Sequence, residues 1–230
     1  MKILVCFCIS FLTIITHSFA QDETELIKKV KAKLDKVNDY TAQGKMKIDV
    51  SFIDAPDSKV TVYYKKPDHF KVKKAGGISI LPKGGISINM GTLLANKDYD
   101  IVPGKDTKIN GVDTKVVKLL PQDENSDVVL TTLYIEEKNA VIRKATVTTK
   151  ENGSYEIELN YGKYLEWGLP DKAVFLFNTK DYKLPKGITF EYEKGEKKKE
   201  AALKNKKGKV EIIYFRYAIN KGVDDKIFNN

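Results

Sequence analysis

Few residues of this chain could carry out covalent chemistry. Beyond the first twenty residues the sequence holds one histidine, His69, and no cysteine. It has no G-x-S-x-G turn, no H-E-x-x-H helix and no phosphate-binding P-loop. His69 stands beside Phe70, which is typical of a surface or packing histidine rather than a general base. The sequence therefore predicts no enzyme activity, no catalytic residue, no metal ion and no cofactor.

Paired carboxylates are the remaining candidates for acid–base chemistry. Glu136-Glu137 and Asp224-Asp225 are adjacent pairs with lysines nearby. Both pairs lie in predicted turns, and a turn with charges of both signs is typical of a solvated loop. No acidic cluster has the spacing of a calcium-binding loop. We interpret both pairs as solvated turn residues.

The first twenty residues resemble a targeting segment. Lys2 supplies a positive start, residues 3–15 are mostly apolar, and Ser18-Phe19-Ala20 is a small-x-small cleavage pattern. This predicts a signal peptide over residues 1–20, a mature chain beginning at Gln21, and export to the periplasm. An uncleaved anchor is the alternative. Residues 21–230 have the length of one domain with its own core.

The charge is positive and carried almost entirely by lysine. The net charge is +9, which becomes +8 once Lys2 leaves with the leader, and only Arg143 and Arg216 are arginines. Proteins that bind nucleic acid favour arginine for its planar fork, so we expect no nucleic-acid partner. Two explanations of the lysine-rich charge are consistent with the sequence: a protein surface that lies near anionic lipid, or a general bias of the composition towards lysine.

The hydrophobic pattern predicts one helix followed by about eleven strands. Residues 22–37 have apolar side chains at helical spacing, with Asp22 and Glu25 as a capping box. Residues 41–52 then alternate apolar and polar side chains, as a one-faced strand requires. The further predicted strands are residues 60–64, 70–72, 115–120, 128–135, 141–150, 154–161, 174–177, 188–192 and 210–220.

Two segments differ from this pattern. Gly76-Gly77-Ile78-Ser79 recurs as Gly84-Gly85-Ile86-Ser87, within a glycine-rich but apolar stretch. Such a stretch has a poorly specified strand register, so it is either a mobile apolar flap or an ordinary hairpin. Residues 193–209 are a Lys/Glu run without apolar periodicity, which predicts a solvated loop.

One short helix cannot cover a sheet of so many strands. Either the sheet closes fully on itself, or a concave apolar surface is left over for a ligand. The predicted class is therefore mainly β, with a strongly curved antiparallel sheet and an N-terminal helix.

Four stretches of the sequence resemble the LolA family of periplasmic lipoprotein carriers and its wider lipoprotein-sorting superfamily. The family opening is similar to residues 30–42, and its aromatic-basic-Pro-x-x-Phe junction is similar to YYKKPDHF at residues 63–70. Its middle hairpin resembles residues 109–121, and its late Phe-rich strand and ending resemble residues 168–188. The chain continues past the usual family end with residues 210–228.

The resemblance implies an unclosed half-barrel whose hollow is covered by helices and holds lipoprotein acyl chains. It also implies a monomer that accepts cargo from an inner-membrane ABC transporter and delivers it to an outer-membrane acceptor. A sensing module of the same fold, for which lipid or misfolded protein is a signal, is the alternative. Lys66 stands where the carrier has an arginine that holds the lid closed. Lysine has no planar fork and should hold more weakly.

Apolar positions of the predicted strands and of the glycine-rich stretch, together with Lys66, form the candidate binding site. These residues are Met46, Ile48, Val50, Phe52, Val62, Tyr64, Lys66, Phe70, Ile78, Ile80, Ile86, Ile88, Met90 and Leu93.

Overall fold

The architecture is taken from a computed structural model, which describes residues 17–50, 56–74, 94, 98–151, 153–178 and 207–228. Within these ranges one large antiparallel sheet follows the helix α1 (His17–Leu34). The strands are β1 (Asp39–Asp49), β2 (Ser58–Lys65), β3 (His69–Lys74), β4 (Tyr99–Pro103), β5 (Thr107–Ile109), β6 (Val112–Pro121), β7 (Val128–Glu136), β8 (Val141–Thr149), β9 (Ser154–Asn160), β10 (Lys172–Asn178) and β11 (Lys207–Ile219).

Helix α1 packs its apolar side against the sheet. Leu26 and Val30 are four residues apart, so they lie on one helix face, and both are buried in the core. The helix begins at His17 rather than at residue 22, because the helical backbone continues from the predicted leader. Asp22 and Glu25 therefore lie inside it and do not form the predicted capping box. None of the helices in the described ranges is both long and apolar enough to cross a membrane.

The strands follow one another across a single sheet in the order β3-β2-β1-β11-β10-β9-β8-β7-β6-β4, with β5 also paired to β6. Among the described strands the two ends of this order, β3 and β4, are not paired with each other, so this sheet is not closed into a barrel. The predicted mainly β class with one antiparallel sheet and one helix is confirmed.

The last strand, β11, lies in the middle of the sheet. It pairs with β1 on one side and with β10 on the other, and it joins the N-terminal hairpins to the central meander. The strand predicted over residues 210–220 is therefore a central part of the sheet, although the sequence resemblance placed it past the usual family end. β11 also starts at Lys207, so the end of the predicted solvated loop belongs to a strand.

Alternation sets the two faces of the sheet. In β1, Tyr40, Ala42 and Met46 are buried while Gln43, Lys45 and Lys47 are exposed, as the period of two requires. The described strand ends at Asp49, and Phe52 lies outside the described residues. Strands β4 and β5 were not predicted, and the predicted strand over residues 188–192 lies outside the described residues.

Candidate functional site

The inner face of the sheet brings together the six apolar or aromatic candidates that the structure describes. Met46, Val50, Val62 and Tyr64 are buried, and Ile48 and Phe70 are half-buried and pack against the same core. The register explains the grouping, because Tyr64 pairs with Tyr40 and with Phe70, and Val62 pairs with Ala42 and Val72.

This apolar face continues across the rest of the sheet. Each further strand up to β6 contributes inward side chains to the same core cluster, so the apolar face is continuous from β3 to β6. Two lysines fall in the inward register, Lys74 opposite Val60 and Lys115 opposite Ile135. The members of the core cluster on these strands include Val117, Leu119, Leu133, Ile135, Ala145, Val147, Tyr155, Ile157, Leu159, Ala173, Phe175, Phe177, Val210 and Ile212. A hydrocarbon surface of this extent suits an aliphatic ligand.

A tyrosine cluster lies at one end of this face and was not predicted. The ring centroid of Tyr40 lies 5.3 Å from the ring centroids of Tyr64 and Tyr217. The ring centroid of Tyr217 lies 5.1 Å from that of Tyr214 and 4.8 Å from that of Tyr164. The Tyr217 hydroxyl donates to the Pro170 carbonyl at 2.8 Å. Burial raises the pKa of Tyr40, Tyr214 and Tyr217, so all three rings stay neutral at physiological pH.

Three of the tyrosines could have been found from the sequence, because Tyr40 directly precedes a predicted strand and Tyr64 and Tyr214 fall on inward positions of predicted strands. Tyr217 could not, because alternation from Tyr214 would turn it outward and only a β-bulge between the two turns it to the core. A tyrosine has an apolar ring and a polar tip, so this end of the hydrocarbon face can also meet polar groups. What the sequence could not show is that β11 pairs with β1, which brings Tyr214 and Tyr217 beside Tyr40.

Lys66 lies at the end of α1. Its ammonium donates to the Asp35 carbonyl at 2.6 Å and lies 3.3 Å from the Asp35 carboxylate. A cation next to the last carbonyls of a helix interacts favourably with the helix dipole. Its described contacts therefore join the β2–β3 turn to the helix.

Half of the candidate set lies outside the described residues. Phe52, the four isoleucines of the glycine-rich stretch, Met90 and Leu93 belong there, and the expectation of a mobile flap stays a prediction. The four isoleucines are Ile78, Ile80, Ile86 and Ile88.

The two carboxylate pairs have different surroundings. Glu136 is buried, and its carboxylate lies 2.5 Å from the Arg143 guanidinium and accepts a hydrogen bond from the Asn139 amide. Its interpretation as a solvated turn residue is wrong, because Arg143 on the neighbouring strand neutralises it. Asp224 and Asp225 are exposed, and Asp225 pairs with Lys65 at 2.6 Å.

A cleft of about 600 Å³ lies between the β5–β6 hairpin and the β7–β8 turn. Charged side chains line much of it, including Asp106, Lys115 and Glu137. Lys115 pairs with Asp106 at 2.9 Å, and this hydrogen bond raises the pKa of the Lys115 ammonium. The cleft is thus unlike the hydrocarbon face and does not suit an acyl chain.

His69 is half-exposed at the start of β3. Its ring packs 5.2 Å from that of Phe228, and its Nδ1 lies 3.6 Å from the Asp68 carboxylate. These contacts are those of a packing histidine. Across the described ranges, no three His, Cys, Asp or Glu side chains lie together as metal ligands would.

Three solved structures share this architecture. A domain described as an outer-membrane lipoprotein-sorting protein domain, from Vibrio parahaemolyticus, matches with TM-score 0.58 and 13% identity, over 91% of this chain and 97% of its own. A DUF1329 family protein from Desulfovibrio piger matches with TM-score 0.56 and 10% identity, over 91% and 96%. A LolA superfamily protein from Nitrosomonas europaea matches with TM-score 0.53 and 12% identity, over 89% and 96%.

No protein-family model and no curated protein matches the sequence. At identities of 10–13% the three structural matches establish the fold. The chain has the LolA-like fold, and the resemblance predicted from the sequence motifs is confirmed at that level.

Proposed function

We propose that this protein is a periplasmic carrier that holds lipoprotein acyl chains against the inner face of its sheet and moves them towards the outer membrane. The observation that carries the proposal is the continuous apolar face from β3 to β6 on a sheet whose described edge strands do not pair with each other. The Vibrio and Nitrosomonas structures, a lipoprotein-sorting domain and a LolA superfamily protein, support it by likeness of fold.

The energetics require such a surface. Exposing one methylene to water costs about 0.8 kcal/mol, so a chain of ~15 methylenes costs about 12 kcal/mol. An acylated protein therefore crosses an aqueous compartment only when another protein covers most of that chain. The half-buried Ile48 and Phe70 are inner-face side chains that a ligand could reach with little rearrangement.

The proposal places the protein in the periplasm after removal of residues 1–20. Its partners would be acylated lipoproteins or lipid, an inner-membrane ABC transporter as donor and an outer-membrane acceptor. It would act without covalent chemistry, since the site presents hydrocarbon side chains and neutral tyrosines rather than a nucleophile and base.

A fluorophore that brightens in apolar surroundings tests the site. We expect it to bind the purified chain and to be displaced by an acylated lipoprotein but not by the same lipoprotein without its acyl chains. Ile48→Ser and Phe70→Ala should each weaken dye binding about fivefold, since each removes part of the apolar contact. Val129→Ser changes an exposed apolar residue and is the matched control.

Displacement by both forms of the lipoprotein, or equal weakening by Val129→Ser, would contradict the proposed site.

Incubating the protein with spheroplasts distinguishes a carrier from a sensor. A carrier releases lipoproteins from the inner membrane into solution in an ATP-dependent manner. A protein that binds dye but releases no lipoprotein is instead the sensing module.

A further inference from the structure

The outward face of β1, β2, β10 and β11 carries exposed apolar side chains that are surrounded by lysines. Phe215 is 58% exposed and Ile213 is 39% exposed, although most large apolar residues of the described sheet are buried. Both lie on β11, which is an interior strand of the sheet, between β1 and β10. We call Ile213, Phe215 and their basic neighbours the outer patch.

The strand register defines those neighbours. Ile213 pairs with Lys45 on β1 and with Lys172 on β10, and Lys45 pairs in turn with Lys59 on β2. One row across the sheet therefore reads lysine, lysine, isoleucine, lysine on the same outward face. The next row contains Arg216, which pairs with Gln43.

A β-bulge sets the orientation of Phe215. Tyr214 pairs with Gly44 and Arg216 with Gln43, so Phe215 is the extra residue of the bulge. The consequence is that Phe215 and Arg216 are both exposed while Tyr214 and Tyr217 both point to the core. The bulge thus places an aromatic ring and a guanidinium side by side on the surface.

The charge of the outer patch is positive. Lys45 pairs with Asp57 at 2.6 Å, and Glu211 is shared by Lys172 at 2.9 Å and Lys209 at 3.2 Å. Asp39 and Asp49 on β1 add two carboxylates to this face, and basic side chains still outnumber the carboxylates, because Lys47, Lys59, Lys73 and Arg216 are also exposed there. Apolar side chains flanked by basic ones are the composition that binds an anionic lipid surface.

We propose that the outer patch docks on the headgroups of an anionic lipid bilayer, with Phe215 and Ile213 inserted at the acyl boundary and the lysines bound to lipid phosphates. The acyl-chain site lies on the opposite face of the same sheet. Docking therefore leaves the inner face available and brings it within one sheet thickness of the membrane. Vesicle binding is measured without cargo, so it succeeds or fails independently of the carrier proposal.

Co-sedimentation of the full chain with vesicles is the test. Vesicles of phosphatidylglycerol with phosphatidylcholine should bind the protein, and vesicles of phosphatidylcholine alone should not. Ile213→Ser with Phe215→Ser should weaken binding at least tenfold. Lys45→Gln with Lys59→Gln should weaken it about tenfold or more, and raising the salt concentration should do the same, because the lysines act through screened charge.

The control pair is Leu120→Ser with Lys118→Gln. Leu120 on β6 has the same exposed fraction as Ile213, 39%, and Lys118 lies beside it on the outward side. These variants should bind vesicles like the unaltered chain. Equal binding to both kinds of vesicle, no binding, or equal losses in the control pair would overturn the proposal.

Insertion is measured with a single tryptophan. Trp167 is the only tryptophan of the chain, so Phe215→Trp in a Trp167→Phe background reports on the outer patch alone. We expect its emission to shift to the blue on anionic vesicles. An unshifted emission would overturn insertion. If the outer-patch variants instead changed the oligomeric state and left vesicle binding intact, a second copy of the chain would be the true occupant.

Discussion

The Glu136 carboxylate accepts a hydrogen bond from the Asn139 amide, and it is neutralised by the Arg143 guanidinium on the neighbouring strand. Arg143→Met removes that partner and leaves a buried charge, which should lower the free energy of unfolding by about 3 kcal/mol. Replacing both residues, with Glu136→Leu and Arg143→Met, removes the charge and its partner together and should cost less. Urea unfolding measures the difference. A double variant as unstable as the single one would contradict this role of Arg143.

This pair also shows what the sequence could and could not reveal about single residues. Glu136-Glu137 looks like any charged turn, and the burial of Glu136 depends on a strand that begins only at Val141. One signal was present, because Arg143 is one of only two arginines in a lysine-rich chain. Lys66 was correctly placed at a strand junction. Its contact with Asp35 depends on where helix α1 ends relative to the sheet, so it could not be predicted from the residues next to Lys66 in the sequence.

The buried tyrosines make the protein sensitive to alkaline pH. Burial raises the pKa of Tyr155 to about 12, and it raises that of Tyr214 further. An unfolded tyrosine ionises near pH 10, so between pH 10 and 12 the folded state holds protons that the unfolded state has lost. Stability is therefore intact below pH 10 and falls above it, by about 1.4 kcal/mol per pH unit from Tyr155 alone.

Absorbance at 295 nm and circular dichroism measure this together. We expect the buried tyrosines to ionise cooperatively as the β signal is lost, and to titrate near pH 10 in urea. A smooth titration at pH 10 with the β signal intact would show that the cluster is solvated.

At the scale of elements, the β1–β11 pairing depends on Gly44. A Cβ atom at this position would lie 2.5 Å from the backbone oxygen of Ile213, which cannot move without disturbing the ladder. Gly44→Ala should therefore cost about 2 kcal/mol of unfolding free energy. Gln43→Ala, at the exposed neighbouring position, should change it by less than about 0.5 kcal/mol. Equal effects of the two substitutions would mean that the bulge tolerates a side chain.

Strands with clear alternation could be predicted from the sequence, and the others could not. Residues 41–52 and 154–161 alternate strongly and correspond closely to β1 and β9, because half-buried strands must alternate. Strands β4 and β5 are short, and β4 contains a charged residue and ends in a proline. The central place of β11 is a choice of partners far apart in sequence, which local patterns do not encode.

At the scale of the whole molecule, the sequence predicted an excess of sheet over helix and hence an apolar face that α1 cannot cover. The structure confirms the large unclosed sheet, and the six described apolar or aromatic candidates share its inner face. The outer patch was not predicted, because it depends on the bulge and on the β1–β11 register. One sheet thus presents two surfaces of different chemistry, hydrocarbon on the inside and basic-apolar on the outside.

Native mass spectrometry with a synthetic lipopeptide tests the central claim most directly. The purified chain is mixed with a peptide carrying an acylated cysteine, and with the same peptide unacylated. We predict a one-to-one adduct with the acylated peptide only, and its loss in the presence of the competing fluorophore. No adduct, or equal adducts with both peptides, would contradict the claim that the inner face holds acyl chains.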